Sequence, residues 1–160
     1  MYYHEKVCDL FSVNENNPVP YCLAHCISAD FAMAGGIAVQ FNQHFNMKAR
    51  LINQYNNKVQ AFDYMGGIVI PMSASPYVQE NNFMVYNLIT KKYVTERPTY
   101  EHLRNCIWRM KNYMLMADYH KLAIPQIGCG IDGLKWEKVS EIIKEVFYAT
   151  DIEVLVCKLK

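Results

Sequence analysis

The sequence predicts an α/β fold in which a mixed, mostly parallel sheet is covered by helices on both faces. Strand-like and amphipathic helical segments alternate along the chain. The segment YCLAHCIS, Tyr21–Ser28, is small and apolar at nearly every position, which is typical of a strand buried on both faces. No internal repeat, low-complexity tract or linker interrupts the pattern. We therefore expect a single domain over residues 1–160.

The first part of the chain predicts two strands and two helical segments. Residues 14–20 are rich in asparagine and proline and indicate a loop. The first helix follows a glycine pair, and its residues Ile37, Phe41 and Phe45 recur at the spacing of one helical face. The predicted elements are strands at Tyr2–Val7 and Tyr21–Ser28, a helix at Gly35–Phe45, and a helical face within Lys48–Tyr64 made by Leu51, Ile52, Tyr55, Val59 and Phe62.

The second part predicts four strands and two long helices. One helix opens at Pro98 and carries Leu103, Cys106, Ile107, Met110 and Met114 on one side. The polar segment between the first two of these strands is interpreted as a surface connection. The predicted elements are strands at Gly66–Met72, Phe83–Thr90, Lys121–Ile127 and Ile152–Cys157, and helices at Pro98–Tyr119 and Lys135–Thr150.

Composition and charge exclude several classes of function. Hydrophobic residues make up 52% of the chain and charged residues 19%, which is an ordinary globular balance. The formal net charge of +1 gives no general attraction to nucleic acid or to an anionic membrane. The first residues, MYYHEKVCDLF, do not resemble a signal peptide, and no apolar stretch is long enough to span a membrane. We expect a cytosolic or nuclear protein, not secreted, with its six cysteines reduced.

The loops that follow the predicted strands are the candidate ligand-binding segments. In open α/β sheets, ligands bind outside the carboxyl ends of the strands, at a switch in strand order. Four such loops carry chemically informative residues: Cys8–Phe11, Ser28–Ile37, Lys91–Thr99 and Gly128–Leu134.

Two of these loops are rich in glycine and lead into helices. In Gly128–Gly133, GCGIDG, three glycines allow a tight turn and let backbone N–H groups approach an oxyanion. A helix N-terminus behind it favours an anion. The loop also matches the spacing G-x-G-x-x-G, but it lies too close to the C-terminus for a dinucleotide fold. Gly35 and Gly36 open the other helix, so the two loops together predict a site for a pyrophosphate, although a plain glycine turn stays open as the alternative for each.

Several polar side chains at these loops have two interpretations each. Lys91 and Lys92 end a predicted strand, and alternation along the strand lets only one of them face the cleft. That lysine is either a solvated strand end or a nucleophile. Asp132 is either the aspartate of an Asp-Gly turn or a general acid/base. Asp9 could accept a hydrogen bond from an adenine amino group, or it could cap a turn.

The thiol and imidazole groups predict no metal site. Cys22 and Cys26 share one face of their strand while His25 points to the other, and a second ligand pair is missing. Cys129 has no histidine near it in sequence that would activate it as a nucleophile. We predict neither a metal nor a cofactor.

With these loops, the chain resembles a macrodomain, and among macrodomains it resembles the terminal ADP-ribose protein glycohydrolase subgroup. Each matching segment is short, but the segments occur in the order typical of the family and extend over nearly the whole chain. They are Leu23–Ser28, Gly36–Val39, Leu88–Lys92, Pro98–Glu101, Ile127–Asp132, Glu145–Phe147 and Ala149–Ile152.

The resemblance implies a three-layer α/β/α fold that holds ADP-ribose in a cleft above the sheet. It implies that Lys91, the first lysine of the Thr-Lys-Lys segment, attacks the anomeric carbon of the distal ribose, with Asp132 as acid/base. The ligand contacts that it implies are Asp9 and Leu10 at the adenine end, Ser28 beside the cleft, Gly35, Gly36, Ile37, Gln126, Ile127, Gly128, Cys129, Gly130 and Ile131 around the pyrophosphate and distal ribose, and Leu159 near the C-terminus.

Three functions are compatible with these residues. The first is a hydrolase that removes ADP-ribose from an acidic side chain, from O-acetyl-ADP-ribose or from a nucleobase. The second is a module that binds ADP-ribose and leaves it unchanged, for which the glycine loops alone would suffice. The third is a dinucleotide enzyme, which only the spacing of Gly128–Gly133 supports. We expect a monomer whose partners are ADP-ribose and an ADP-ribosylated protein or nucleic acid, without a membrane.

Overall fold

A six-stranded sheet lies between two layers of helices in the computed structural model of the chain. The structure describes residues 1–54, 77–80 and 82–159. The predicted strand at Gly66–Met72, and the part of the predicted helical face beyond residue 54, lie outside these ranges. The strands are β1 (Tyr2–Val7), β2 (Cys22–Ser28), β3 (Tyr77–Glu80), β4 (Phe83–Lys91), β5 (Lys121–Ile124) and β6 (Glu153–Lys158). The helices are α1 (Ile37–Phe45), α2 (Met47–Gln54), α3 (Tyr100–Met116) and α4 (Trp136–Phe147).

The sheet is mixed and mostly parallel, as the sequence predicts. Its strand order is β1-β6-β5-β2-β4-β3, and every neighbouring pair is parallel except β3 with β4. Helices α3 and α4 pack on one face, and α1 and α2 on the other. The three-layer α/β/α prediction is therefore confirmed.

The strand order reverses between β2 and β5. After β2 the next described strands, β3 and β4, lie on one side, whereas after β5 the chain passes to β6 on the other side. The two connections leave the sheet edge in opposite directions, so a crevice opens between their first loops. These loops are the two glycine-rich segments of the sequence.

The interpretation of residues 73–82 as a surface connection was wrong for Tyr77–Glu80. These residues form β3, an edge strand that pairs antiparallel with β4 from Phe83 to Tyr86. Tyr-Val-Gln-Glu does not alternate between apolar and polar residues, so the sequence carries no strand signal here and the pairing with β4 defines the strand.

Strand β1 has its predicted bounds, and the other predicted elements of the described residues begin and end within a few residues of theirs. Helix α3 begins after Pro98, because the Thr99 side chain accepts a hydrogen bond from the His102 N–H at 3.1 Å and caps the helix. Strand β5 stops at Ile124 because Pro125 follows it and offers no N–H to the ladder. The five residues predicted for the inner side of α3 are all buried: Leu103, Cys106, Ile107, Met110 and Met114.

The cysteine and histidine side chains of β2 face opposite helical layers, as alternation along a strand predicts. Cys22 and Cys26 contribute to the core under α3 and α4. His25 points the other way, where its ring stacks on Phe41 of α1 at a centroid distance of 3.8 Å. Its Nε2 lies 2.6 Å from Asn87 Oδ1. Burial lowers the pKa of His25 to about 4, so the ring is neutral near pH 7 and contributes to packing.

A pH-sensitive contact lies at the amino-terminal end of β5, where His120 immediately precedes the strand. Its Nε2 lies 2.7 Å from Asp118 Oδ1, and its Nδ1 lies 2.7 Å from Asp151 Oδ1. Hydrogen bonding to Asp118, and then to Asp151, raises the pKa of His120 above its usual value. The folded protein therefore holds this proton more tightly than the unfolded chain does. The resulting stabilisation is complete below the unfolded pKa of about 6.5 and is lost as pH rises through the folded pKa.

We expect His120→Gln to lower the free energy of unfolding more at about pH 5.5 than at about pH 9. Because the imidazole is exposed, the loss at the lower pH is at most about 1 kcal/mol. Urea denaturation of both proteins at the two pH values measures it. An equal loss in the free energy of unfolding at both pH values would show that the His120 ring stabilises the fold by packing and not by its charge.

Candidate functional site

A cavity of about 490 Å³ opens at the carboxyl ends of the parallel strands. This volume is in the range of small-molecule sites. The cavity is lined by residues that follow β2, β4, β5 and β6, and by the start of α1. Thirteen of the fifteen residues that the sequence analysis selects line it: Ser28, Gly35, Gly36, Ile37, Lys91, Gln126, Ile127, Gly128, Cys129, Gly130, Ile131, Asp132 and Leu159.

Asp9 and Leu10 are not among the described residues that line this cavity. Asp9 caps a short 3-10 helix at Leu10–Ser12, where its carboxylate accepts from the Phe11 N–H at 3.1 Å and from the Ser12 hydroxyl at 2.7 Å. Leu10 is buried in the core under α1 and α2. Asp9 therefore caps a turn, which is one of the two interpretations that the sequence allowed. Contact of Asp9 or Leu10 with an adenine stays a prediction.

The sequence analysis did not select nine residues that also line the cavity. Cys26 had a signal, because it lies two positions before Ser28 on β2 and side chains repeat with a period of two along a strand. Gln40 had one too, since it follows Ile37 by about one turn of α1. Val94 lies in the candidate loop Lys91–Thr99, but neither its residue type nor its spacing distinguishes it within that loop. The nine are Cys26, Ile27, Met33, Ala34, Ala38, Gln40, Val94, Pro125 and Cys157.

The loop from β2 to α1 is held in an unusual backbone conformation. Phe31 and Met33 have φ values of 55° and 47°, in the left-handed region that residues other than glycine rarely adopt. Asp30 stabilises the turn, because its Oδ1 accepts from the Ser28 hydroxyl at 2.5 Å and from the Ala32 N–H at 3.1 Å. Such conformations persist where the surrounding structure enforces them, and they cluster at ligand sites.

The N-terminus of α1 faces the cavity without a side-chain cap. Its capping residue is Gly36, with φ 62° and ψ −150°, a conformation that a side chain would strain. No side chain accepts a hydrogen bond from the first N–H groups of this described helix. Uncapped N–H groups at a helix N-terminus can bind an anion, and here they lie beside Gly36 and Ile37, which line the cavity.

The loop after β5 is a closed turn. The Leu134 N–H donates to the Gly128 carbonyl at 2.8 Å, and the Gly133 N–H donates to the Gly130 carbonyl at 3.2 Å. Gly128 has φ 74°, and a Cβ there would lie 3.0 Å from Leu134 Cδ1. The position therefore requires glycine, both for its backbone conformation and for the close approach of Leu134.

The two glycine loops meet across the cavity. Ile131 is 71% exposed and its side chain lies over the other loop. A Cβ added to Gly35 would lie 2.8 Å from Ile131 Cδ1. A side chain at position 35 would displace the end of this isoleucine, which is exposed, so glycine is the residue that lets the two loops approach as they do.

Lys91 and Asp132 form an ion pair at one end of the cavity. Lys91 Nζ lies 2.6 Å from Asp132 Oδ1, and the two side chains are only 9% and 15% exposed. The adjacent Lys92 is more exposed, and its ammonium lies 5.5 Å from the centre of the Tyr93 ring. Of the two lysines, Lys91 is the one that lines the cavity. A shielded amine in contact with a carboxylate can exchange a proton with it and act on a bound carbon centre.

Two thiols line the cavity near this pair. Burial raises the pKa of Cys129 to about 11, with the Asp132 carboxylate as a second cause. Burial also raises the pKa of Cys26, well above that of an ordinary thiol. Both groups are protonated at neutral pH and are therefore weak nucleophiles.

The described ranges 1–54, 77–80 and 82–159 contain no cluster of three or more His, Cys, Asp or Glu side chains that could hold a metal ion. No helix within those ranges has the length and apolar character needed to cross a membrane.

Comparison with known proteins matches both the sequence and the fold of this chain. Residues 24–143 match the family model described as Macro domain. The human protein named ADP-ribose glycohydrolase OARD1 is 38% identical over 151 residues, which cover 94% of this chain and 88% of that protein. A protein of unknown function from Bacteroides thetaiotaomicron superposes with a TM-score of 0.79 at 22% identity, covering 99% of both chains. The macrodomain of Thermus aquaticus DarG superposes with a TM-score of 0.72 at 20% identity, covering 97% of both chains.

Proposed function

This chain belongs to the macrodomain family, and we propose that it binds ADP-ribose in the cavity and hydrolyses ADP-ribosyl linkages with Lys91 and Asp132. One observation carries the proposal: the 2.6 Å contact between Lys91 Nζ and Asp132 Oδ1 at the end of a cavity rimmed by two glycine loops. The name of the human relative, an ADP-ribose glycohydrolase, supports it.

The length of the cavity suits ADP-ribose. The lining residues extend from Leu159 after β6 to Lys91 at the end of β4, across β5 and β2. Neighbouring strands lie about 4.8 Å apart, so these strand ends span about 14 Å. In the proposed pose, the adenosine lies toward Leu159, with Asp9 and Leu10 beyond it. The pyrophosphate lies between the two glycine loops at the N-terminus of α1. The distal ribose then reaches Lys91 and Asp132.

The ion pair supplies both reactive groups after one proton transfer. When Asp132 takes a proton from the Lys91 ammonium, the pair becomes a neutral amine and a carboxylic acid, which are a nucleophile and a general acid. The side chains are shielded from solvent by the cavity wall, which strengthens the hydrogen bond between them. No other group is needed for the exchange.

The reaction then follows two steps. Lys91 Nζ attacks the anomeric carbon of the distal ribose and forms a C–N bond, while the bond to the leaving group breaks and its electron pair goes to that group. The proton on Asp132 neutralises the leaving group. Water then attacks the same carbon, Asp132 accepts a proton from it, and the C–N bond breaks with return of the amine. The net change is hydrolysis, with ADP-ribose and the protonated leaving group as products.

The substrate is an ADP-ribosylated acidic side chain, O-acetyl-ADP-ribose or an ADP-ribosylated nucleobase. We propose that a monomer in the cytosol or nucleus carries out the reaction without a cofactor. A module that binds ADP-ribose without hydrolysing it is the second candidate, because the glycine loops and the uncapped end of α1 suffice for binding.

A time course of ADP-ribose release separates the two candidates. The substrates are a glutamate-ADP-ribosylated peptide, O-acetyl-ADP-ribose and ADP-ribosylated single-stranded DNA, and calorimetry measures the affinity for free ADP-ribose. Release from any of the three identifies a hydrolase and its substrate class. Binding of ADP-ribose without release from any of them identifies the binding module.

A further inference from the structure

The thiols of Cys8 and Cys157 lie on one face of the sheet, where β1 and β6 end. The register of these two parallel strands pairs Lys6 with Cys157 and Val7 with Lys158. Side chains repeat with a period of two along a strand, so Cys8, which directly follows β1, continues the face that Lys6 and Cys157 share. Cys157 belongs to the core under α1 and α2, and Cys8 packs against that core.

The two thiols are in contact and differ in exposure. Cys157 is only 3% exposed and lines the cavity, whereas Cys8 is partly exposed. The Cys8 thiol donates to the Lys6 carbonyl oxygen at 3.7 Å, and Cys157 is hydrogen-bonded to Cys8. Burial, and then this hydrogen bond, raises the pKa of Cys157 above that of an ordinary thiol. Cys157 is therefore protonated at neutral pH, and Cys8 is the thiol of the pair that a solute reaches first.

We propose that Cys8 and Cys157 form a reversible disulfide under oxidation by a peroxide, and that this bond weakens the binding of ADP-ribose. In the structure all six cysteines are free. Hydrogen peroxide oxidises the Cys8 thiol to a sulfenic acid and leaves one water. The Cys157 sulfur then attacks the Cys8 sulfur and forms the S–S bond, while hydroxide leaves and takes the Cys157 proton as a second water. Two electrons pass from the thiols to the peroxide, and a dithiol reverses the change by thiol–disulfide exchange.

The disulfide displaces the segment that follows β1. A straight continuation of β1 puts the Cα atoms of Cys8 and Cys157 about 8 Å apart, two rises of about 3.3 Å along the strand and one spacing of about 4.8 Å across it. A disulfide brings two Cα atoms to within about 7 Å of each other. Cys157 is held in β6 between two neighbouring strands, whereas Cys8 lies beyond the last paired residue of β1. Cys8 is therefore the residue that moves.

This movement reaches the end of the cavity where the adenosine lies in the proposed pose. Asp9 directly follows Cys8, and its carboxylate holds the next turn through the Phe11 N–H at 3.1 Å and the Ser12 hydroxyl at 2.7 Å. These bonds make the turn move together with Cys8. Because Cys157 itself lines the cavity, the new bond also alters the cavity wall. The inference rests on the proposed function, since the loss of affinity depends on adenosine lying at this end.

The test compares the reduced protein with the protein treated with hydrogen peroxide. The remaining thiols are blocked, and mass spectrometry of the digested protein identifies linked peptides. We expect a disulfide between Cys8 and Cys157, and calorimetry should show that ADP-ribose binds about tenfold more weakly than to the reduced protein. Dithiothreitol should restore the affinity.

Two variants assign this change to the thiol pair. Cys8→Ser cannot form the bond, so its affinity for ADP-ribose should be the same before and after peroxide. Cys129→Ser is the matched control, because it removes a different thiol that lines the cavity. It should keep the difference of about tenfold between the reduced and oxidised forms.

The linked peptides keep the inference separate from the proposed function. If the reduced protein does not bind ADP-ribose, the proposed function and the effect on binding both fail, whereas a peptide pair joined through Cys8 and Cys157 still establishes the modification. No such pair after peroxide, or a disulfide that leaves the affinity unchanged, would overturn the inference. An equal loss of affinity in peroxide-treated Cys8→Ser would overturn it too, because another oxidised group would then be the cause.

Discussion

We expect Lys91→Ala to lose ADP-ribose release while it still binds ADP-ribose. The fall in kcat should be on the order of 10³-fold or more, because the variant lacks the group that forms the C–N bond. The affinity for ADP-ribose should change by less than about tenfold, since the glycine loops and the N-terminus of α1 are intact. Single-turnover release and calorimetry measure the two quantities on the same preparation.

Lys92→Ala is the matched control for this variant. It removes a lysine side chain at the next position, just after the end of β4. The Lys92 ammonium lies over the Tyr93 ring, whereas that of Lys91 lies against Asp132. Its kcat on O-acetyl-ADP-ribose should stay within about tenfold of that of the unmodified protein. Full activity of Lys91→Ala, or a larger loss in Lys92→Ala, would remove Lys91 from the role of nucleophile.

We expect Asp132→Asn to lower kcat by about 10²- to 10⁴-fold, the usual contribution of a general acid/base. The carboxamide keeps the size of the aspartate, and its oxygen can still accept a hydrogen bond from Lys91. It cannot take up the proton that makes Lys91 a nucleophile. The affinity for ADP-ribose should therefore change much less than kcat, and calorimetry beside the time course tests this split.

The Cys129→Ser variant tests whether the thiol beside Asp132, rather than the Asp132 carboxylate, contributes to kcat. Cys129 lies on the same loop and lines the same cavity, but burial raises its pKa to about 11 and leaves little thiolate at neutral pH. We expect this variant to retain kcat within about tenfold. A loss as large as that of Asp132→Asn would indicate a catalytic thiol and would require a different mechanism.

The layered fold was predictable because the relevant patterns are local. A helical face repeats every three to four residues, so Leu103, Cys106 and Ile107 could be assigned to the inner side of α3, where all three are buried. The segment Tyr21–Ser28 predicted a central strand because it is apolar on both faces, and β2 lies between β5 and β4. Strand β3 had no such pattern and became a strand only through its partner β4.

The candidate site was predictable as a set of loops and not as a geometry. Because parallel strands present their carboxyl ends at one edge of a sheet, the sequence predicted that the two glycine loops and Lys91 lie close together. Asp9 also follows a strand at that edge, yet its carboxylate caps a 3-10 helix. Val94 lines the cavity although nothing in its sequence context distinguishes it.

The class of fold, the loops of the site and the pair of residues on which its chemistry is proposed to depend could all be predicted from the amino-acid sequence. All of these follow from short-range periodicity, glycine placement and the family resemblance. Two distances could not be predicted in this way: the 2.6 Å contact between Lys91 and Asp132, which are 41 residues apart, and the approach of Ile131 to Gly35. Such distances depend on how the strands order in the sheet and how the helices pack on it. Those are sums over many weak, long-range contacts that no single segment encodes.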